Sequence, residues 1–289
     1  MLNDVLTTVT QVAMLTFVVA SMAAMGLSLT IARIVEPLRD IRLVGLLLVA
    51  NFVAVPAVAI GAARLLPMDA AASTAIILIG CCAGAPFLPK LAGLAKCDPA
   101  LAVGAMVLLM VVTVAYAPVV VPLAVEGATV DAGQIASSLV VLMLIPLGVG
   151  LLIRARYPGL ADDWVGTAAQ ISNVALLLAI GAALLVSWRD IVGSIGSWIF
   201  VGTAIVLAIG LAAGYLAGLG RSAGDRSVAA MATAQRNIAA AIVVATSLSP
   251  DVIVLTLVGA LVIPIVLIVL AGELGRRVTV VPVTKEAQA

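Results

Sequence analysis

Long apolar segments constrain this chain more than any other feature of its sequence. A helix needs roughly 20 apolar residues to cross the about 30 Å hydrocarbon core of a bilayer. Nine segments meet that length: 9–32, 43–63, 70–95, 99–125, 132–153, 164–187, 192–219, 227–248 and 252–272. They predict an all-α integral membrane protein with a single transmembrane domain, followed by a cytoplasmic tail over residues 273–289.

Composition excludes several classes of protein. The chain is 64% hydrophobic and 10% charged, whereas soluble domains carry about 25% charged residues. A nucleic-acid-binding protein needs a basic surface, and the net charge here is +1. Histidine is absent, so histidine metal sites are excluded, and we expect no metal and no cofactor.

The three cysteines, Cys81, Cys82 and Cys97, lack the CxxC spacing of metal sites. We interpret them as small residues that fill helix packing, with a disulfide or a metal site as the alternative. The apolar segments contain no His, Asp or Glu, so we predict that the protein is not an enzyme. A Schiff-base chemistry on Lys90 is the formal alternative.

Basic residues predict the orientation in the membrane, since loops on the cytoplasmic side are enriched in Lys and Arg. With the N-terminus outside, eleven basic residues fall inside and two, Arg64 and Arg189, fall outside. We therefore predict that the N-terminus lies outside and the C-terminus inside. The membrane that we expect is the bacterial cytoplasmic membrane. The inside set is Arg33, Arg39, Arg42, Lys96, Arg154, Arg156, Arg221, Arg226, Arg276, Arg277 and Lys285.

Two basic residues, Lys90 and Arg236, remain inside apolar segments, while all fourteen acidic residues lie outside them. Burying a charge in a membrane is costly, so such residues mark functional sites by default. Each also has a structural alternative. Lys90 is near enough to the end of its segment to snorkel to the interface, and Arg236 could bond backbone carbonyls.

The third and eighth segments are predicted to be interrupted. Gly84, Pro86 and Pro89 break the third, because proline removes a backbone donor and clashes with the preceding turn. In the eighth, four of the five residues from Thr233 to Asn237 are polar. Freed backbone groups at membrane depth are tolerated only where protein or water satisfies them.

The two interrupted segments are five places apart in the order of segments, so they run in opposite directions. Each is followed by a short turn containing Asp and Pro and then by a long segment with internal proline. The pattern predicts inverted repeats over residues 9–125 and 132–272, the first lacking one helix. Paired interrupted segments in inverted halves indicate a transporter's midplane binding site.

These residues resemble the bile acid:sodium symporter family over nearly the whole chain. The firmest stretches are residues 80–84 and 94–101. Residues 25–29 resemble the family's first motif, Asn51-Phe52 with Pro56 its second, and residues 233–241 its second crossover. The resemblance implies core and panel domains, and third and eighth segments that cross at their unwound centres.

The resemblance also implies two sodium sites, and this chain departs from them. Most of the family's sodium-site side chains are replaced, and only Asn51, in place of a Gln, and Asn237 keep a side-chain oxygen. The replaced positions are Leu88, Pro89, Ala102, Met106, Ala232 and Arg236. Sodium prefers several oxygen ligands, so we expect it not to bind. Lys90 and Arg236 would instead supply two fixed positive charges for an anionic substrate, which Arg can hold through its planar fork.

We therefore predict a secondary active transporter that moves a small organic anion by alternating access, either proton-coupled or as an exchanger. One alternative is a sodium-coupled symporter with an altered ion site, and another is a channel or sensor.

The expected partners of this protein are the substrate and the bilayer, with no nucleic acid and no obligate protein partner. The residues predicted to bind substrate are Lys90, Arg236, Asn237, Gln235, Thr233, Asn51, Pro89 and Gly84. Polar residues that line the pathway, or else satisfy helix packing, are Thr30, Thr113, Ser172 and Asn173.

Overall fold

The computed structural model describes residues 2–125, 128 and 130–277, and these residues are helical almost throughout. Short turns of other helix types connect some of the helices: a 3-10 turn at Glu36–Arg39 and π turns at Ala50–Ala54 and Val140–Leu144. The α-helices are α1 Leu2–Ser28, α2 Ile31–Val35, α3 Ile41–Val49, α4 Val55–Leu65, α5 Ala70–Cys81, α6 Leu88–Leu94, α7 Pro99–Ala124, α8 Ala132–Leu139, α9 Ile145–Arg156, α10 Pro158–Gly193, α11 Ile199–Ala217, α12 Ala223–Ala234, α13 Ile238–Ala245 and α14 Pro250–Arg277.

Within the described residues, seven helical stretches are long and apolar enough to cross a membrane. The π turns belong to two of them, because they join α3 to α4 over Ile41–Leu65 and α8 to α9 over Ala132–Arg156. The protein is therefore an integral, all-helical membrane protein, as its composition predicts. The two other predicted segments are each divided into two short helices, α5 with α6 and α12 with α13. The nine-span count and the inverted repeat stay predictions.

Several helices extend past the apolar segments that predict them. α10 has 36 residues, whereas the apolar stretch is 164–187. α14 continues to Arg277, so the first residues of the predicted tail are helical, and residues 278–289 lie outside the described part. Hydropathy marks the lipid-facing portion of a helix, and a helix ends only where its backbone hydrogen bonds or caps stop it.

The helices pack in two groups. In one, α1 lies along α9 and α10; in the other, α3 to α7 pack with α11 to α14. A glycine pair sets the contact of α1 with α9, since a Cβ on Gly26 would lie 2.3 Å from the Leu147 carbonyl oxygen. A Cβ on Gly150 would lie 2.6 Å from the Ala23 carbonyl oxygen. Gly26 belongs to the first motif, so backbone contact explains that motif's glycine.

Candidate functional site

The two helix interruptions meet inside the protein. Residues 82–87 separate α5 from α6, and residues 235–237 separate α12 from α13. Ala83 and Arg236 form an isolated antiparallel bridge, and the Asn237 amide donates to the Cys82 carbonyl at 2.9 Å. Backbone groups freed by one break therefore bind those freed by the other, which a non-helical segment needs at membrane depth.

Thr113 of α7 completes the pairing of the first interruption. Its hydroxyl accepts from the Ala83 amide at 3.1 Å and donates to the Ala83 carbonyl at 3.0 Å. Gly84 follows with a φ of +80°, and a Cβ there would lie 2.3 Å from the Met110 nitrogen. Only glycine combines that backbone conformation with such close packing on a helix.

Asn237 fastens the second interruption to the first. Its side-chain Nδ2 donates to the Gly84 carbonyl at 3.0 Å. Its Oδ1 accepts from the Ala240 amide at 3.1 Å, which caps the N-terminus of α13. One buried amide thus supplies both a helix cap and a bond between the two interruptions.

Arg236 lies at the centre of this junction and is 1% exposed. Its Nε donates to the Ile79 carbonyl at 3.1 Å, and one Nη2 hydrogen bond goes to the Gly80 carbonyl. Its Nη1 donates to Asn51 Oδ1 at 2.9 Å and to the Thr233 carbonyl at 3.2 Å. A guanidinium has five N–H donors, and these contacts are four neutral oxygens with no carboxylate among them.

The end of α5 explains how a buried cation is stabilised without a carboxylate. The last four carbonyls of a helix lack partners within the helix, and that end carries the negative pole of the helix dipole. Ile79 and Gly80 are among these last residues of α5. Arg236 therefore bonds backbone carbonyls, as its structural alternative supposes, and it places a positive charge at the negative end of a broken helix.

Hydrogen bonds fix the Asn51 side chain with its oxygen toward Arg236. Asn51 Nδ2 donates to the Leu47 carbonyl at 3.0 Å and to Thr233 Oγ1 at 3.1 Å. Thr233 Oγ1 in turn donates to the Ala229 carbonyl at 3.0 Å. Because both donors of the amide are committed, its oxygen remains available to accept from the guanidinium.

The π turn that carries Asn51 lies just before Pro56. In an α-helix the Phe52 carbonyl would accept from residue 56, which as proline has no N–H. The Tyr116 hydroxyl donates to the Phe52 carbonyl instead, at 2.8 Å. The Val55 amide bonds the Ala50 carbonyl, five residues back, which is the bond of a π turn. Sequence reasoning missed Tyr116, and the proline four residues after Phe52 is the signal that could have revealed the need for a donor.

Lys90 lies on α6, at the third position of that helix, and is partly buried. Its side chain makes no ion pair or hydrogen bond with the described residues. α6 packs against α7, α12 and α14, which places Lys90 in the same helix group as Arg236 without a direct contact. Pro89 and Leu88, the neighbours of Lys90, are buried.

The other predicted positions divide into those at the junction and those that only pack beside it. Gln235 is buried, and its Nε2 lies 3.5 Å from the Arg236 carbonyl while its Oε1 has no partner in the described residues. Apolar replacements at the expected sodium positions, Ala102, Met106 and Ala232, are all buried. The structure thus brings together Asn51, Gly84, Thr233, Arg236 and Asn237.

The firmest sequence motif, residues 94–101, forms the end of α6 and the start of α7. Lys96 adopts a φ of 54°, its amide bonds the Gly93 carbonyl, and the Cys97 amide bonds the Ala92 carbonyl. Asp98 then caps α7 by accepting from the Ala100 amide at 2.9 Å. These are the bonds of a helix stop and a helix cap, so this motif has a structural role.

A sequence model of known proteins matches residues 14–195 of the chain, and it describes the sodium bile acid symporter family. The matched region contains Asn51, Gly84 and Lys90, whereas Arg236 lies beyond it. No curated protein matches the chain. The matched region is more than half of the chain, so the chain belongs to the sodium bile acid symporter family.

Proposed function

We propose that this protein is a secondary transporter of a small organic anion that works by alternating access without sodium. The observation that carries the proposal is the environment of Arg236. Four oxygens surround its guanidinium where the two interrupted segments meet. Carbonyl and amide oxygens of this kind are ligands of hard metal cations. Arg236 thus places a covalently attached positive charge among oxygens that could otherwise bind a metal cation.

A sodium ion at this junction would meet the charge of Arg236. Two unit charges about 4 Å apart repel by about 4 kcal/mol at an effective dielectric constant of about 20. Of the positions expected to supply sodium ligands, only Asn51 and Asn237 keep a side-chain oxygen. No carboxylate contacts the guanidinium among the described residues. Repulsion and missing ligands both disfavour sodium.

Lys90 is the residue that we assign to direct contact with the substrate. Its ammonium has no partner in the described residues, whereas Arg236 uses four donors within the protein. Arg236 therefore acts on an anion mainly through its field, which low-dielectric surroundings strengthen. Lys90 can bind a carboxylate or a sulfonate through a charge-assisted hydrogen bond.

The fixed charges also affect how transport of the anion can be coupled to an ion gradient. A sodium symporter returns to its starting conformation after its sodium ions have dissociated, whereas Arg236 stays in the site throughout the cycle. A carrier of this kind can exchange one anion for another, or it can move an anion together with a proton bound at Lys90. Both modes remain within the proposal, and both dispense with sodium.

The test is counterflow of organic acids in proteoliposomes, with sodium replaced by potassium in parallel. Candidate substrates are first found by thermal shift of the purified protein against monocarboxylates, dicarboxylates, sulfonates and bile acids. We expect sodium-independent counterflow that Lys90→Gln abolishes and Lys90→Arg retains in part. Transport that requires sodium and survives both Lys90→Gln and Arg236→Gln would overturn the proposal.

Membership in the sodium bile acid symporter family favours a second candidate, a sodium-coupled symporter with an altered ion site. The same experiment separates the two, because only this candidate predicts that sodium raises both thermal stability and counterflow. Counterflow itself distinguishes a carrier from a channel, since a channel does not accelerate uptake when substrate is present on the opposite side.

A further inference from the structure

The outer face of α10 carries two amide side chains where lipid would be expected. α10 has a tryptophan near each end, Trp164 and Trp188, both more than half exposed, at positions that suit the two interfaces of a membrane. They are about 36 Å apart along a straight helix at 1.5 Å per residue. Gln170 and Asn173 lie between them and are exposed.

Asn173 is within about 5 Å of the midpoint between the two tryptophans, given the rise of 1.5 Å per residue. Neither Gln170 nor Asn173 has a hydrogen-bond partner in the part of the chain that the structure describes. A polar group without a partner in hydrocarbon costs free energy. Something outside the described residues must satisfy these amides.

The exposed face of α10 beside the two amides is otherwise apolar, and Gln170 also borders the groove between α1 and α10. Leu177, one helical turn beyond Asn173, is 72% exposed, and Leu185 is 62% exposed. Residues 165–187 carry no charge. Gln170, Asn173 and Leu177 follow one another at spacings of three and four, so they share one stripe of the helix surface.

We propose that this stripe is the interface of a homodimer, in which α10 packs against α10 of a second copy across a two-fold axis. A carboxamide is both a donor and an acceptor, so identical amides facing each other satisfy one another. A two-fold contact is self-complementary by construction, and an uncharged stripe offers no complementary charge that would select a different partner.

Small residues on the same side of α10 suit a close approach. Gly166 and Gly181 are exposed, and a Cβ on either would meet nothing within 4 Å in this chain. Helix contacts in membranes favour small residues together with side chains that hydrogen-bond across the interface. The glycines support the proposal, and the unpartnered amides carry it.

Cysteine cross-linking in native membranes tests the geometry. Asn173→Cys is placed in the full chain together with Cys97→Ser, since Cys81 and Cys82 are buried. Ile171→Cys, in the same background, is the matched control because Ile171 is also exposed and lies at similar depth on another side of α10. We expect oxidation to give a dimer for Asn173→Cys several-fold faster than for Ile171→Cys.

The oligomeric state in lipid nanodiscs tests the energetics. We expect the unmodified protein to have the mass of a dimer and the double variant Gln170→Leu with Asn173→Leu to lose most of the dimer while staying folded. A monomeric unmodified protein, or equal cross-linking at 171 and 173, would overturn the proposal. So would a double variant that keeps the dimer but changes transport, because the amides would then face the substrate pathway.

Discussion

Arg236 and Asn51 are joined by a hydrogen bond of 2.9 Å between Nη1 and Oδ1, although 185 residues separate them in the chain. The bond connects the second interruption to the π turn between α3 and α4. Asn51 is neutral and cannot cancel the charge of Arg236. Three backbone carbonyls therefore also accept hydrogen bonds from the buried guanidinium and stabilise it.

Arg236→Gln should give the protein a response to sodium that the unmodified chain lacks. The substitution leaves the oxygens of Ile79, Gly80 and Asn51 without a cation, and each unsatisfied buried group costs about 1–3 kcal/mol. We expect a lower melting temperature in potassium. Sodium at about 100 times its dissociation constant would restore about 2.7 kcal/mol.

Thermal unfolding in matched sodium and potassium buffers measures this effect, with the unmodified protein as the control. A folded Arg236→Gln variant whose melting temperature is the same in both salts would show that the oxygens around Arg236 do not form a cation site.

Asn51→Leu should destabilise the protein more than Asn51→Asp. Leucine removes an acceptor from a buried cation and a donor from both Leu47 and Thr233, with an expected cost of about 1–3 kcal/mol or more. Aspartate keeps an oxygen toward Arg236 and adds an opposite charge, which offsets the loss of the Nδ2 donor. Thermal or denaturant unfolding in one detergent ranks the two variants, and the reverse order would contradict the proposed role of the Asn51 oxygen.

Gly84→Ala should prevent the first interruption from packing on α7. A Cβ there would lie 2.3 Å from the Met110 nitrogen, at a φ that non-glycine residues rarely adopt. Gly93→Ala is the matched control, because a Cβ on Gly93 meets nothing within 4 Å and alanine favours a helix by about 0.5–1 kcal/mol. Folded yield after detergent extraction should be low for Gly84→Ala and normal for Gly93→Ala.

Much of this fold is predictable because lipid imposes a length and a polarity on each segment. The break at Gly84 is predictable too, since Pro86 and Pro89 are incompatible with a continuous helix. The polar run before Asn237 indicates a second break but does not require one, because a polar side chain leaves the helix backbone intact. The hydrogen-bond partners of Arg236 cannot be predicted from the sequence. Three of its four acceptors are backbone carbonyls, and a carbonyl becomes available only when a neighbouring helix ends at a particular residue, which sequence periodicity does not reveal.

The contrast between Lys90 and Arg236 shows the same limit. Both are cations in apolar segments, and sequence alone treats them as a pair at one site. The structure separates them by their contacts, since Arg236 is saturated by oxygens while Lys90 has no partner in the described residues. Which cation is free to meet a substrate depends on where helix ends lie, and so on tertiary structure.

Tyr116→Phe should destabilise the protein by about 1–2 kcal/mol, because it leaves the Phe52 carbonyl without a donor. The effect should be smaller in a chain that also carries Pro56→Ala, since alanine restores a backbone N–H that can bond the same carbonyl. A double-mutant cycle measured by denaturant unfolding isolates this coupling. Additive effects of the two substitutions would show that the hydroxyl and the missing N–H are unrelated.

Acid should weaken the contact of α3 with the loop before α12. Hydrogen bonds from the Leu43 amide and from Arg221 hold the pKa of Asp40 below its ordinary value of 3.8, and Arg221 Nη1 lies 2.8 Å from Asp40 Oδ2. A carboxyl whose folded pKa is lowered stabilises the fold above its unfolded pKa, and it loses that contribution as the pH falls through the folded value.

Asp40→Asn keeps a capping oxygen for Leu43 but removes the ion pair. The melting temperatures of the unmodified protein and Asp40→Asn should therefore differ at neutral pH. The difference should shrink as the pH falls below the ordinary pKa of 3.8, and it should vanish only below the lower pKa of the folded state. Equal melting temperatures of the two proteins at neutral pH would show that the ion pair with Arg221 does not contribute to stability.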